Sequence, residues 1–237
     1  MSMRTTRIKL KGRRVGMHCI CRCVAGAYLL DDDSQAVFVH MLRKLAGFCG
    51  IELVTYCVMA NHVHVLIRIP EPPQLSDEQL VERLAGLYGK QGALTLLARQ
   101  ALKDQGRIYE DVRARLLERM GDVSAFMKEL KQRFSRWYNR RHDRFGTLWA
   151  ERFRSVLVED NLRSMGAVAA YIDLNPVRAG LVKDPKDYRF CGYAAALGGN
   201  ALARKGLLSI GETGSWKACS AAYRMRLFVV GGVTKQG

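Results

Sequence analysis

The chain has 237 residues, with 38 lysines and arginines against 22 aspartates and glutamates and a formal net charge of +16. Half of it is apolar and a quarter charged, a globular balance that excludes a disordered or fibrous chain and suffices for one domain with a full core. The surplus of positive charge points to a polyanion, chiefly nucleic-acid phosphate, as partner; no apolar run is long enough to span a membrane.

Residues 1–14 carry Arg4, Arg7, Lys9, Lys11, Arg13 and Arg14 and no acid, the pattern of a basic N-terminal arm. The apolar stretch that follows is interrupted by His18 and Arg22, and its alternation predicts a strand at 17–25 rather than an export signal. Cys19, Cys21 and Cys23 then share one face of that strand. The chain's seven cysteines, odd in number and without CxxC spacing, read as buried thiols of a reducing cytoplasm, not as disulfides or a zinc site.

Asp31–Ser34 offers an N-cap to a helix in which Val37, Phe38, Met41, Leu42 and Leu45 recur at helical spacing. Residues 51–58 and 62–69 read as a hairpin turning at Met59-Ala60-Asn61. Pro70, Pro72 and Pro73 end the sheet, and 75–120 reads as a helical insertion rich in Leu, Arg and Gln. A core helix follows a cap at Ser124 and runs to about Arg141. A strand at 155–159 and a helix from near Asn161 through Tyr171 complete the series. The order strand, helix, strand, strand, helix, strand, helix predicts an α+β fold: a ferredoxin-like split βαβ core with an antiparallel sheet and one extra C-terminal helix. The main domain spans 15–190, and 191–237, rich in Gly and Ala, is expected as an appendage.

Three segments carry chemistry. In Asn61-His62-Val63-His64 the two histidines project to one face of a strand. They can hold a divalent metal with positions open for a substrate oxygen, or be two hydrogen-bonded histidines on a polar sheet face. A histidine-triad hydrolase would need a third alternating His where Leu66 stands, and a two-histidine phosphodiesterase a second such motif.

In Tyr171-Ile172-Asp173-Leu174-Asn175-Pro176, Tyr171 and Asn175 are four apart and stack on one helical face, while Pro176 ends or kinks the helix at Asn175. A phenol and a neutral amide ligand so placed can approach one metal; a core tyrosine before a helix stop is the other reading. From Lys128 to Arg154, nine basic residues against three acids interleave with Phe134, Trp137, Tyr138, Phe145, Trp149 and Phe153. This suits phosphates and unpaired bases, or equally an amphipathic helix with solvated arginines. Within this stretch Lys131, Arg133, Arg136, Arg140, Arg141, Arg144, Arg152 and Arg154, with Arg178 beyond it, are the candidate DNA contacts.

Together these segments resemble the single-tyrosine HUH transposases, in particular the REP-associated tyrosine transposase branch. The resemblance rests on Val58–Leu66, Phe134–Arg141, Gly146–Phe153 and Tyr171–Val182, in family order over roughly residues 15–190. It implies His62 and His64 as the metal pair, Asn175 as third ligand, Mg²⁺ or Mn²⁺ as cofactor and Tyr171 as nucleophile. The implied reaction is cleavage and rejoining of single-stranded hairpin DNA through a 5′-phosphotyrosine, by a homodimer without a membrane and in the cytoplasm among bacterial nucleoid DNA. Two rival functions use the same residues: a non-catalytic hairpin-DNA-binding regulator, and a metal-dependent phosphodiesterase in which Tyr171 is idle. The sequence departs from the family pattern at Ala60, often a proline, at Asp173, often His or Tyr, and in the length of the 75–120 insertion.

Overall fold

Period-2 alternation on the central strands sorts side chains onto two faces, and each face has its own cover of helices. The computed structural model describes residues 14–69 and 74–232, so the expected basic arm lies, apart from Arg14, outside the described residues. The strands are β1 (Val15–Arg22), β2 (Glu52–Val58), β3 (His62–Ile69) and β4 (Arg154–Val158). They pair antiparallel in the order β2-β3-β1-β4, which is the ferredoxin-like sheet expected from the element order.

On one face, Met17, Cys19 and Cys21 of β1 and Val63, Val65 and Ile67 of β3 are buried in a core cluster. It is covered by α1 (Asp32–Cys49) and α5 (Val123–Arg141). The cysteines act there as small apolar residues, with Cys19 fully buried. Asp31 caps α1 by accepting from the Ser34 amide at 2.8 Å. The expected cap of α5 at Ser124 is corrected to Asp122, whose carboxylate accepts from the amides of Ser124 and Ala125. The carboxyl two residues upstream starts the helix earlier and satisfies two of its first free amides. β1 also starts and stops two to three residues earlier than the alternation suggested, because a 3₁₀ turn at Val24–Gly26 ends it.

The insertion forms α2 (Asp77–Tyr88), α3 (Ala93–Gln105) and α4 (Glu110–Leu117). Leu80 and Leu84 of α2 are fully buried, so it extends the first core. Its link to α5 is polar: Arg119 and Arg133 both pair with Glu129 and both donate to the Tyr88 hydroxyl.

The second face carries His18, His64, Leu66 and Arg68, and it holds the catalytic candidates. It is covered by α6 (Leu162–Asp173), the short α7 (Asn175–Arg178), α8 (Gly192–Leu197), α9 (Ala201–Leu208) and α10 (Trp216–Gly232). Residues 191–232 are therefore no appendage. Tyr193, Ala196, Ala203, Leu207, Tyr223 and Leu227 join Val54, Cys57 and Leu66 in a second core. A register shift between Leu53 and Thr55 turns Val54 to this side. Gly206 of α9 lies against it so closely that a β-carbon there would come within 2.3 Å of the Leu53 carbonyl oxygen. The glycines and alanines that look unpatterned in sequence are the small residues this close packing requires. Among the described residues, no helix is long and apolar enough to cross a membrane.

Candidate active site

Antiparallel register brings together what the sequence separates. β1 and β3 pair so that Ile20 faces His64 and Arg22 faces His62, with His18 opposite Leu66. The side chains of His18, His62 and His64 thus form a cluster on the second face. His18 Nε2 lies 2.9 Å from His64 Nδ1, their rings stacked at 5.1 Å between centroids. The His62 and His64 rings stand nearly perpendicular, 5.0 Å apart. His62 Nδ1 meets the Asn61 side-chain oxygen at 2.6 Å.

Tyr171, near the end of α6, hangs over this cluster. Its ring centroid is 6.0 Å from that of His64 and 6.1 Å from that of His18. It is 44% exposed, so the phenol is open to a substrate rather than sealed in the core. The Arg178 guanidinium covers one face of the ring at 4.7 Å and donates to the Tyr171 carbonyl.

The break between α6 and α7 explains the placement of Asn175. Pro176 has no N–H to give to the Ile172 carbonyl four residues back. The Asn175 side-chain amide donates there instead, at 3.2 Å, and to the Tyr171 carbonyl at 2.9 Å. With its N–H donors turned to the helix end, Asn175 bonds the histidine cluster at His62. The end or kink expected at Asn175 is a break: α6 ends at Asp173 with Leu174 as its C-cap, and α7 begins at Asn175.

Burial drives all three imidazoles to the neutral form. It lowers His18 to about 4. His64 falls to about 3, through burial first and then its His18, His62 and Arg22 neighbours. His62 is also lowered, chiefly by burial and then by Arg22, against a hydrogen bond that its ring donates to the Asn175 side chain and that raises it. Neutral imidazole is the form that coordinates metal. Among the described residues, no three His, Cys, Asp or Glu side chains are arranged to hold a metal. An ion reaching this face would meet the His62 and His64 imidazoles and the neutral side chain of Asn175.

Beneath Tyr171, Asp173 is fully buried. Its carboxyl accepts from Thr55 Oγ1 at 2.9 Å, the Tyr223 hydroxyl at 2.7 Å and the Tyr193 amide at 3.2 Å. Burial raises its pKa to about 7 against these bonds. The carboxyl ties the tyrosine helix to β2, α8 and α10 at once.

The expected DNA contacts fall into two groups. Arg136, Arg140, Arg141, Arg152, Arg154 and Arg178 are exposed, and Arg154 pairs with the exposed Glu151. Lys131 donates to the Glu151 carbonyl and Arg144 lies over the Tyr138 ring. The Arg133 guanidinium is held by Glu129 and Tyr88, and it braces the insertion. A cavity of about 1000 Å³ between α5 and residues 147–153 includes Lys128, Lys131, Arg136 and Arg152.

His18 and Arg22 are the site residues that sequence reasoning missed. Their signal was present, because each interrupts an apolar strand at the parity that faces α6.

Residues 13–94 match the family described as Transposase IS200 like. The fold is similar to that of a REP-associated tyrosine transposase bound to a REP hairpin, at a TM-score of 0.53 and 17% identity, over 84% of this chain and 87% of that one. A crystal structure of a candidate transposase from Deinococcus radiodurans R1 aligns at a TM-score of 0.32 and 18% identity, over 71% and 96% of the two chains. No curated protein matches the chain.

Proposed function

We propose that this chain, an IS200-like transposase sequence over residues 13–94, cuts and rejoins single-stranded hairpin DNA with Tyr171 as its nucleophile. The observation that carries this reading is the exposed phenol of Tyr171 about 6 Å, ring to ring, from His64 and His18, on a face lined by neutral histidines.

The Tyr171 oxygen attacks the scissile phosphorus. The bond from phosphorus to the 3′ oxygen breaks, and the phenolic proton ends on the departing 3′-hydroxyl. The product is a 5′-phosphotyrosine, and attack by the same or another 3′-hydroxyl reverses the step, so rejoining needs no external energy source. A divalent ion held by His62, His64 and Asn175 would offset charge on the phosphate. Asn61 and His18 hold the two imidazoles in orientation from behind. Arg178 and Asp173 fix the position of the tyrosine and its helix. The exposed arginines of α5 and of residues 152–154 supply phosphate contacts.

The open edge of β4, with Val156 and Leu157 exposed, suits a homodimer joined edge to edge; light scattering reads it. Bacterial nucleoid DNA, in the cytoplasm, is the expected setting.

The test of the reaction is covalent capture. Protein is incubated with labelled single-stranded hairpin DNA and Mn²⁺ and resolved under denaturing conditions. An adduct is expected from the wild type and none from Tyr171→Phe, with DNA affinity nearly unchanged. Binding without an adduct across several hairpins would assign the chain to the non-catalytic regulators, and an adduct surviving in Tyr171→Phe would remove the nucleophile.

A further inference from the structure

Two loops beside the histidine cluster share an unusual combination of features. Among the described residues, Ala25 (φ 53°) and Asp143 (φ 46°) are the non-glycine residues with positive φ. Each stands close to an exposed aromatic: Tyr28 is 81% and Phe145 92% exposed, the two highest values among the large apolar side chains described. A left-handed backbone at alanine or aspartate is disfavoured and persists where its surroundings enforce it. Here they do.

The first loop is tied down by Val24 N to the Leu148 carbonyl, Leu30 N to the Ala60 carbonyl and the Tyr138 hydroxyl to the Leu29 carbonyl. The second is held by Asn139 Nδ2 to the Gly146 carbonyl and by Arg144 N to the Asn139 carbonyl. The Val24–Leu148 and Tyr138–Leu29 bonds place the two loops side by side. Asn61 joins the first loop to the active site, since its amide donates to the Gly26 carbonyl at 3.3 Å while its oxygen meets His62.

Rigid loops that hold large aromatic rings in water lose apolar burial and gain nothing from it within the fold. The local charge says what would cover them. Arg140, Arg141 and Arg144 precede Phe145 with Asp143 as the one acid among them, and the exposed Arg22 lies on the histidine side; the three aspartates after Tyr28 serve the start of α1, Asp31 as its cap and Asp32 and Asp33 in its first turn. Flat apolar rings among guanidinium groups match an unpaired nucleobase with its phosphate; duplex DNA, whose bases are already stacked, would leave the rings unused.

We infer that Tyr28 and Phe145 form a stacking platform for unpaired bases of the DNA strand next to the cleavage site. The platform rests on the DNA-cutting reading for its ligand but not for its chemistry, so binding and cleavage are read separately.

The experiment is fluorescence anisotropy with a labelled oligothymidylate single strand and with a duplex of equal length. It compares full-length wild type, Tyr28→Leu, Phe145→Leu, Tyr28→Trp and Phe145→Trp. Each leucine variant is expected to lose about 5- to 100-fold in single-strand affinity with duplex affinity unchanged, and each tryptophan variant to stay near wild type. Wild-type single-strand affinity in both leucine variants overturns the platform, as does equal loss on duplex and single strand or equal loss in the leucine and tryptophan variants. Absence of a covalent adduct with this pattern intact would remove Tyr171 as nucleophile and leave the platform standing.

Discussion

His18 Nε2 and His64 Nδ1 lie 2.9 Å apart in the floor of the candidate site, and His18 is buried to 7% exposure. An imidazole that binds a metal through Nε2 carries its proton on Nδ1 and needs an acceptor for it. Burial holds His18 near a pKa of 4, neutral at pH 7, and in the tautomer with its proton on Nδ1 its Nε2 is that acceptor.

Replacing His18 by leucine should therefore weaken Mn²⁺ binding by about 10- to 100-fold. The orphaned Nδ1–H of His64 should also cost about 1–3 kcal/mol of stability. Titration calorimetry with Mn²⁺ reads the first and denaturant unfolding the second. Unchanged Mn²⁺ affinity in His18→Leu would show that His64 needs no such partner, and no binding even by the wild type would remove the metal itself.

Asp173 predicts a pH effect. Its folded pKa of about 7 lies above its ordinary value of 3.8 because burial outweighs its hydrogen bonds, so the folded chain holds that proton more tightly than the unfolded chain. Stability from this group is complete below about pH 4 and fades as the pH rises through 7. Asp173→Asn cannot ionise, and it places an N–H₂ among donors. Its cost should be largest below about pH 4, remain larger at pH 5 than at pH 8, and shrink as wild type weakens and the variant does not. Paired urea titrations at the two pH values check this. A cost that grows with pH would mean that the folded state stabilises the carboxylate.

The candidate catalytic face was only half legible in the chain. The HxH parity, the Tyr171–Asn175 spacing and the strand order could be read because they are local patterns with fixed periods. His18 could not be assigned a role, since its meaning comes from a cross-strand register linking residues 46 positions apart. Arg133 looked like its neighbours on α5 until the fold supplied Glu129 and Tyr88. The helices after residue 191 were missed because their packing uses glycine and alanine, whose small side chains give little periodic contrast.

That packing gives a stability contrast between two helical glycines. At Gly206 a β-carbon would meet the backbone carbonyls of Leu53 and Val54 at 2.3 and 2.4 Å, which cannot swing aside as a side chain can. Gly206→Ala should destabilise by about 1–3 kcal/mol or more. Gly86 of α2 has nothing within 4 Å of that position, and Gly86→Ala should stabilise by roughly 0.5–1 kcal/mol through helix propensity. Thermal melts of the two variants should move in opposite directions. A neutral Gly206→Ala would mean that α9 is not seated on the β2 bulge as described.

Arg133 and Arg140 lie on the same helix and should separate bracing from the proposed DNA contact. Arg133 is half-buried against Glu129 and Tyr88, whereas Arg140 is exposed. Arg133→Gln should lower stability by about 1 kcal/mol, in the range for a partly exposed charge-assisted bond discounted for solvent, and leave the salt dependence of DNA binding unchanged. Arg140→Gln should leave stability within about 0.5 kcal/mol and reduce the slope of log affinity against log salt by roughly one. Affinities measured at several salt concentrations, beside urea unfolding, distinguish them. Should Arg133→Gln reduce the salt slope instead, its guanidinium must leave Glu129 for a phosphate when DNA binds.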